Sequence, residues 1–194
     1  MIDYLAFSNG YARMKDLKER GIHPREIKKA LDDGLIDKVK PGLYKLIDFP
    51  WDENSSFVDV YRSNNKAVIC LTSAIEYYGL TTFNPSYISI AIPENARLNK
   101  IFYPPVRVYY FRDTVYQTGI EKISSKSGEF LIYTVEKTLA DLFRYQQKIG
   151  DDIVLESLKN YMSSKNRDIA LLWRVAEKCG VLGRMKDYMK AFTI

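Results

Sequence analysis

Residues 21–46, GIHPREIKKALDDGLIDKVKPGLYKL, constrain the fold more tightly than any other stretch, because they carry a helix start, a helix stop and a hairpin turn in one short run. Pro24 suits a first helical position, where its missing N–H would lack a partner anyway. His23 stands just before it, and Glu26 in the first turn complements the helix dipole. The helix should run to about Asp33, with Gly34 as its stop. At ~100° per residue, Ala30 and Leu31 lie within about 60° of Ile27, Arg25 and Lys29 fall about 160° and 200° away, and Lys28 lies to the side of that pair. One face is apolar and the opposite face cationic. LIDKVK, Pro41-Gly42 and LYKL follow; Pro-Gly fits the centre of a type II turn, and the flanks are strand-like. The expected element is a β-hairpin carrying Lys38, Lys40 and Lys45.

Two shorter helices precede this unit. Ile2, Leu5 and Ala6 share a face before SNG, and Met14 and Leu17 share a face in YARMKDLKERG, with Gly21 as the stop. Three helices and a hairpin in this order are the parts of a winged helix-turn-helix, whose third helix enters the DNA major groove while the hairpin lies near the backbone. Arg25, Lys28 and Lys29 are the groove-side candidates; Lys38, Lys40 and Lys45 are the wing candidates. The competing reading is a solvated helix face in a protein-binding module. The order of three helices and a wing favours DNA, and the charge distribution is consistent with it: of the net +5, about +4 falls between Arg13 and Lys45, where ten Lys/Arg meet six Asp/Glu.

From IDFPWDENSS the chain turns polar and turn-rich, the pattern of a linker. Beyond it, Ser73-Ala-Ile-Glu76 has the spacing of a capping box at the start of a short buried helix that stops at Gly79. YISIAIP, VRVYYF, GIEKI and EFLIY predict a sheet of about four strands. From an N-cap at Thr134, Val135, Leu139, Leu142 and Phe143 repeat in helix period, and 151–162 and 167–192 continue it. In the last stretch Arg167, Arg174 and Lys178 form an outward basic stripe opposite Ile169, Leu172 and Ala176, a candidate second surface for DNA or an acidic partner. The expected fold class is α+β: a winged helix-turn-helix at 1–48, a linker at 49–66, and an α+β domain at 67–194 with a small sheet followed by a helical bundle.

Composition narrows the chemistry. The hydrophobic fraction of 46% suits a soluble globular chain, no apolar run approaches the ~18 residues of a membrane span, and the N-terminus lacks the marks of a secretory signal, so the cytoplasm is the expected compartment. Cys70 and Cys179 sit in apolar contexts like small buried hydrophobes, and His23 is the single histidine, leaving no zinc cluster or Ser/His/Asp triad to assemble. GVLGRMK lacks the spacing of a phosphate loop. Glu26-Ile27-Lys28 sits inside the recognition helix, not at a sheet edge where a metal nuclease would need it. No catalytic residue, metal or cofactor is expected.

The order of these signals resembles the AbiEi-type abortive-infection antitoxins. LKERGIHPREIKKALDDGLIDKVKPGLYKL is similar to their N-terminal winged helix, ending in a G-L-x-x-V-x-x-G-x-Y wing; Gly34 to Tyr44 fits with one extra residue between Leu35 and Val39. LTSAIEYYGL resembles the family's S-A-L-x-x-x-G-L helix, and YTVEKTLADLF its S-x-E-x-T-L-x-D segment through Val135, Glu136, Thr138, Leu139 and Asp141. The resemblance covers nearly the whole chain. It implies a type IV toxin–antitoxin antitoxin whose winged helix represses its own operon at inverted repeats in double-stranded operator DNA, and whose C-terminal domain counters a nucleotidyltransferase toxin. The alternative is a winged-helix transcriptional regulator with a ligand-sensing or dimerising C-terminal domain; an enzyme of nucleic-acid metabolism stands third.

Overall fold

The structure, a computed structural model, describes residues 1–98, 101 and 103–191. It divides into two compact units: residues 1–65, 97–105 and 123–130 form the first, and 66–96, 106–122 and 131–194 the second.

The first unit opens with α1 (Ile2–Phe7), β1 (Tyr11–Arg13), α2 (Met14–Glu19), α3 (Pro24–Asp32), β2 (Ile36–Lys40) and β3 (Leu43–Leu46), the succession of a winged helix-turn-helix. Its sheet has the order β1-β3-β2 with both pairings antiparallel. The strand β1 is invisible to periodicity, since three residues are too few for an alternation; it completes the sheet that carries the wing. Leu5, Leu17, Ile27, Ala30, Ile36, Tyr44 and Leu46 close a core among these elements. In β2 the burial order is Ile36 in, Asp37 and Lys38 out, Val39 in. The register slips by one residue between Lys38 and Lys40, so a β-bulge absorbs an extra residue and returns Val39, not Lys38, to the core. Gly42 takes φ +75° after Pro41, as the tight turn requires.

Segment 49–66, expected as a linker, holds a helix, α4 (Ser55–Ser63), with Phe57, Val58, Asp59 and Val60 buried. The polar composition misled because Asp52 and Asn54 are held in specific bonds. The Asp52 carboxylate accepts hydrogen bonds from the Ser127 hydroxyl (2.7 Å) and from the Lys126 (2.9 Å) and Asn54 (3.0 Å) amides, tying the 123–130 segment to the approach of α4.

The remaining elements are β4 (Val68–Ile69), α5 (Leu71–Tyr77), β5 (Ile88–Pro93), β6 (Val106–Phe111), α6 (Asp113–Tyr116), β7 (Ile120–Ser125), β8 (Gly128–Tyr133), α7 (Val135–Arg144), α8 (Gln146–Ile149), α9 (Asp151–Ser163), α10 (Ile169–Lys178) and α11 (Leu182–Ala191). Their sheet has five strands in the order β6-β5-β4-β8-β7; the two-residue β4, parallel to β8 and antiparallel to β5, is the strand added to the expected four. Sheet-then-bundle order makes this part α+β. The capping box expected at Ser73 does not form: α5 starts at Leu71, and the Ser73 hydroxyl, inside the helix, accepts from the Ser89 amide of β5 at 2.9 Å.

The bundle is organised by α7, on which Glu136 through Phe143 are all buried. Thr134 caps it, its hydroxyl accepting from the Lys137 amide at 3.3 Å. Glu136 accepts from the Tyr161 hydroxyl at 2.8 Å, and Lys137 and Asp141, both fully buried, form an ion pair one helical turn apart. The Lys137 ammonium also lies 4.1 Å from the Tyr133 ring centroid. Burial pushes the Asp141 carboxyl up to about 6, against the pull of Lys137 and Arg144.

Candidate nucleic-acid interface

Helix α3 is short, and its entry is fixed by local chemistry. His23 is the N-cap; its Nδ1 accepts from the Arg25 amide at 3.2 Å while the Glu26 carboxylate accepts from the His23 amide at 2.8 Å, a capping box closed over Pro24. The single histidine and the Glu26 of Glu-Ile-Lys are thus both structural. Ile27 and Ala30 point into the core, and Arg25, Lys28 and Lys29 are all exposed. None of the three is held in an ion pair among the described residues, so this face can accept an anionic surface.

The three wing lysines do not behave alike. Lys38 is exposed next to the bulge. Lys45 is turned inward: its ammonium lies 2.6 Å from Asp59 of α4, a residue only 1% exposed, and 5.5 Å from the centroid of the Trp51 ring. Asp59 also accepts from the Tyr11 hydroxyl at 2.7 Å. Burial raises the Asp59 carboxyl above the ordinary range even though Lys45 and Tyr11 both favour its ionised form. Lys40 donates its ammonium to the Ser63 carbonyl at the end of α4, and burial together with the charge of Arg13 lowers its pKa. Two of the three wing cations expected on the DNA backbone therefore brace the wing against α4. Sequence spacing could not reveal this, since the partners lie 14 and 23 positions away.

Reasoning from sequence also missed Arg13, an exposed residue at the end of β1 that stands at the N-cap position of α2 without a side-chain capping bond. The Met14 amide after it donates to the Gly42 carbonyl at 2.8 Å, which sets Arg13 beside the wing turn. Only the strand before it, too short to read from pattern, could have signalled the position.

Residues 1–47 match the family model for transcriptional regulators described as AbiEi antitoxins. That span is the winged helix-turn-helix and nothing beyond it. Over the larger part of the chain the likeness is one of fold: the crystal structure of the RV2827C protein from Mycobacterium tuberculosis superposes with a TM-score of 0.54 at 15% identity, covering 94% of this chain and 77% of that one. No curated protein matches in sequence. Among the described residues no helix is long and apolar enough to cross a membrane.

In the second unit the segment YTVEKTLADLF is α7 and its cap, and its Glu136, Thr138, Leu139 and Asp141 are buried in the core. These residues hold the bundle together and offer no surface to a partner. The expected basic stripe is shorter than its spacing suggests. Asp168 caps α10, so Arg167 lies outside the helix, donating to the Ser164 carbonyl at 2.9 Å, while Arg174 and Lys178 remain exposed one turn apart on it.

Proposed function

We propose that this protein is the DNA-binding antitoxin of a type IV toxin–antitoxin pair, acting in the cytoplasm. The winged helix, residues 1–48, binds inverted repeats in the operator of its own operon through Arg25, Lys28 and Lys29 in the major groove and Lys38 on the flanking backbone. The C-terminal α+β domain, residues 67–194, counters a nucleotidyltransferase toxin, with Arg174 and Lys178 as a candidate contact surface. The observation that carries the DNA half is the capped helix α3, whose apolar side is locked in the core while its three cations stay unpaired. The antitoxin half draws on the family match of the first 47 residues.

The test has two arms. Purified full-length protein is titrated against the repeats upstream of its gene, and it is co-expressed with the adjacent gene and scored for growth. Sequence-specific retardation that Arg25→Ala and Lys29→Ala weaken, with rescue of growth, fits the proposal; retardation without rescue reduces it to a transcriptional regulator. That second reading has one observation in its favour, a pocket of about 550 Å³ in the second unit lined by Arg112, Arg144 and Lys178, of a size to admit a small ligand.

A further inference from the structure

A second concave site lies wholly within the first unit, apart from the exposed face of α3. It is a pocket of about 450 Å³ whose lining includes Arg13, Lys40, Arg62, Ser63, Asn65 and Glu129. Three cations thus share it with one carboxylate. Each cation is set by a different element: Arg13 by the cap of α2, Lys40 by the wing strand β2, Arg62 by the last turn of α4.

Their freedom differs in a way that favours a ligand. The Arg62 guanidinium carbon stands 5.0 Å from the Tyr11 ring centroid, and Tyr11 is itself fixed by its bond to Asp59, so the group is held by its face while its N–H edge is left over. The Arg13 side chain is exposed and engaged by no hydrogen bond or ion pair among the described residues. Ser63 is 1% exposed, and its hydroxyl has no hydrogen-bond partner. A buried hydroxyl without a partner is costly, and this one belongs to a residue that lines the cationic pocket.

We infer that this pocket binds a phosphate group, with the Arg13 and Arg62 guanidinium groups as paired donors and Lys40 and Ser63 at its base. A tetrahedral dianion matches forked Arg donors better than a halide does, and its charge offsets the mutual repulsion of Arg13 and Lys40. The phosphate can come from a duplex backbone following the wing, where it is a monoanionic diester, or from a free phosphorylated molecule, where it carries up to two charges; both present tetrahedral phosphate oxygens to the two arginines.

The experiment uses the full chain without operator. Inorganic phosphate and pyrophosphate are titrated at matched ionic strength against chloride, following melting temperature and the backbone amide resonances of Arg62, Ser63 and Asn65. Saturable shifts with phosphate and none with chloride are expected, weakened at least tenfold by Arg13→Ala and by Arg62→Ala. Arg13→Ala alters a solvent-facing side chain, so it remains informative even if Arg62→Ala loosens the stacking on Tyr11. Shifts that follow ionic strength alone, or an Arg13→Ala protein that titrates like the parent, overturn the inference. An unrelated short duplex then separates the sources. If it competes with phosphate, and if Arg13→Ala lowers the salt slope of duplex binding by about one unit, the group belongs to a DNA backbone. If duplex binding is unchanged while the phosphate response persists, it belongs to a free ligand. Because the anion titration involves no operator, it stands or falls independently of the repressor proposal.

Discussion

Lys45→Ala separates a brace from a DNA contact. The side chain makes a 2.6 Å ion pair with Asp59, whose carboxylate is 1% exposed. Removing one member of a buried pair usually costs about 3 to 5 kcal/mol, because the remaining charge is left without compensation. Here the Tyr11 hydroxyl still donates to Asp59, and Lys45 itself keeps 17% exposure, so the loss should fall near the low end, about 3 kcal/mol at neutral pH. The penalty should depend on pH in a definite direction. Burial already holds the Asp59 carboxyl above its unfolded value, and losing Lys45 raises it further. A group whose folded pKa exceeds the unfolded one contributes most below the unfolded value, about 3.9, and that contribution is lost as pH rises through the folded one. The variant should therefore lie closest to the parent near pH 4 and fall away toward pH 8.

Urea unfolding of the full chain, followed by Trp51 fluorescence in a Trp173→Phe background, reads this out beside the site. Lys45→Met/Asp59→Asn should recover most of the loss, since the introduced amide oxygen can still accept from Tyr11 and no charge is stranded. If Lys45→Ala unfolds at the parental urea concentration and instead lowers the salt slope of duplex binding by about one unit, Lys45 lies on DNA and the brace is wrong.

Arg25→Ala and Lys29→Ala should each weaken operator binding by about 1 to 3 kcal/mol where the contact is bidentate to guanine, measured by fluorescence anisotropy, whereas Ile27→Asp should abolish the fold of the winged helix. Lys38→Ala should reduce affinity equally for operator and unrelated duplex and make the salt dependence shallower by about one unit, with no change in urea midpoint. In the second unit Lys137→Met should cost about 3 to 5 kcal/mol in chemical unfolding by stranding Asp141, and Lys137→Met/Asp141→Leu should restore most of it. The double variant should also lose a pH trend: the Asp141 carboxyl, held at about 6 in the fold, favours the folded state most below about pH 4 and less as pH rises through 6.

The elements that periodicity reveals and those it hides divide along the distance over which their residues act. Helix α3 is readable because each of its determinants is local: Pro24 and His23 set its start, Ile27 and Ala30 its buried side, Gly34 its end. The Pro41-Gly42 turn is readable for the same reason. Strands β1 and β4 are not, because three and two residues carry no period and exist as strands only through their neighbours. Helix α4 is hidden behind the polar approach that Asp52 organises across 75 positions, and Ser73 looks like a cap because its true partner, Ser89, is on another strand. The same division runs through the interface. Which cations point outward on a helix is a matter of angle, so Arg25, Lys28 and Lys29 can be named from sequence. Which way the wing cations turn is a matter of what they meet, and Asp59 and the Ser63 carbonyl draw the half-buried Lys45 and Lys40 toward α4. The net charge of about +4 in this stretch therefore overstates what a duplex could feel from the wing. A lysine turned onto α4 instead ties the wing to that helix, leaving Lys38 outward on β2 and Arg13 at the end of β1 beside the wing turn. Two of the module's charges order the scaffold on which the others stand.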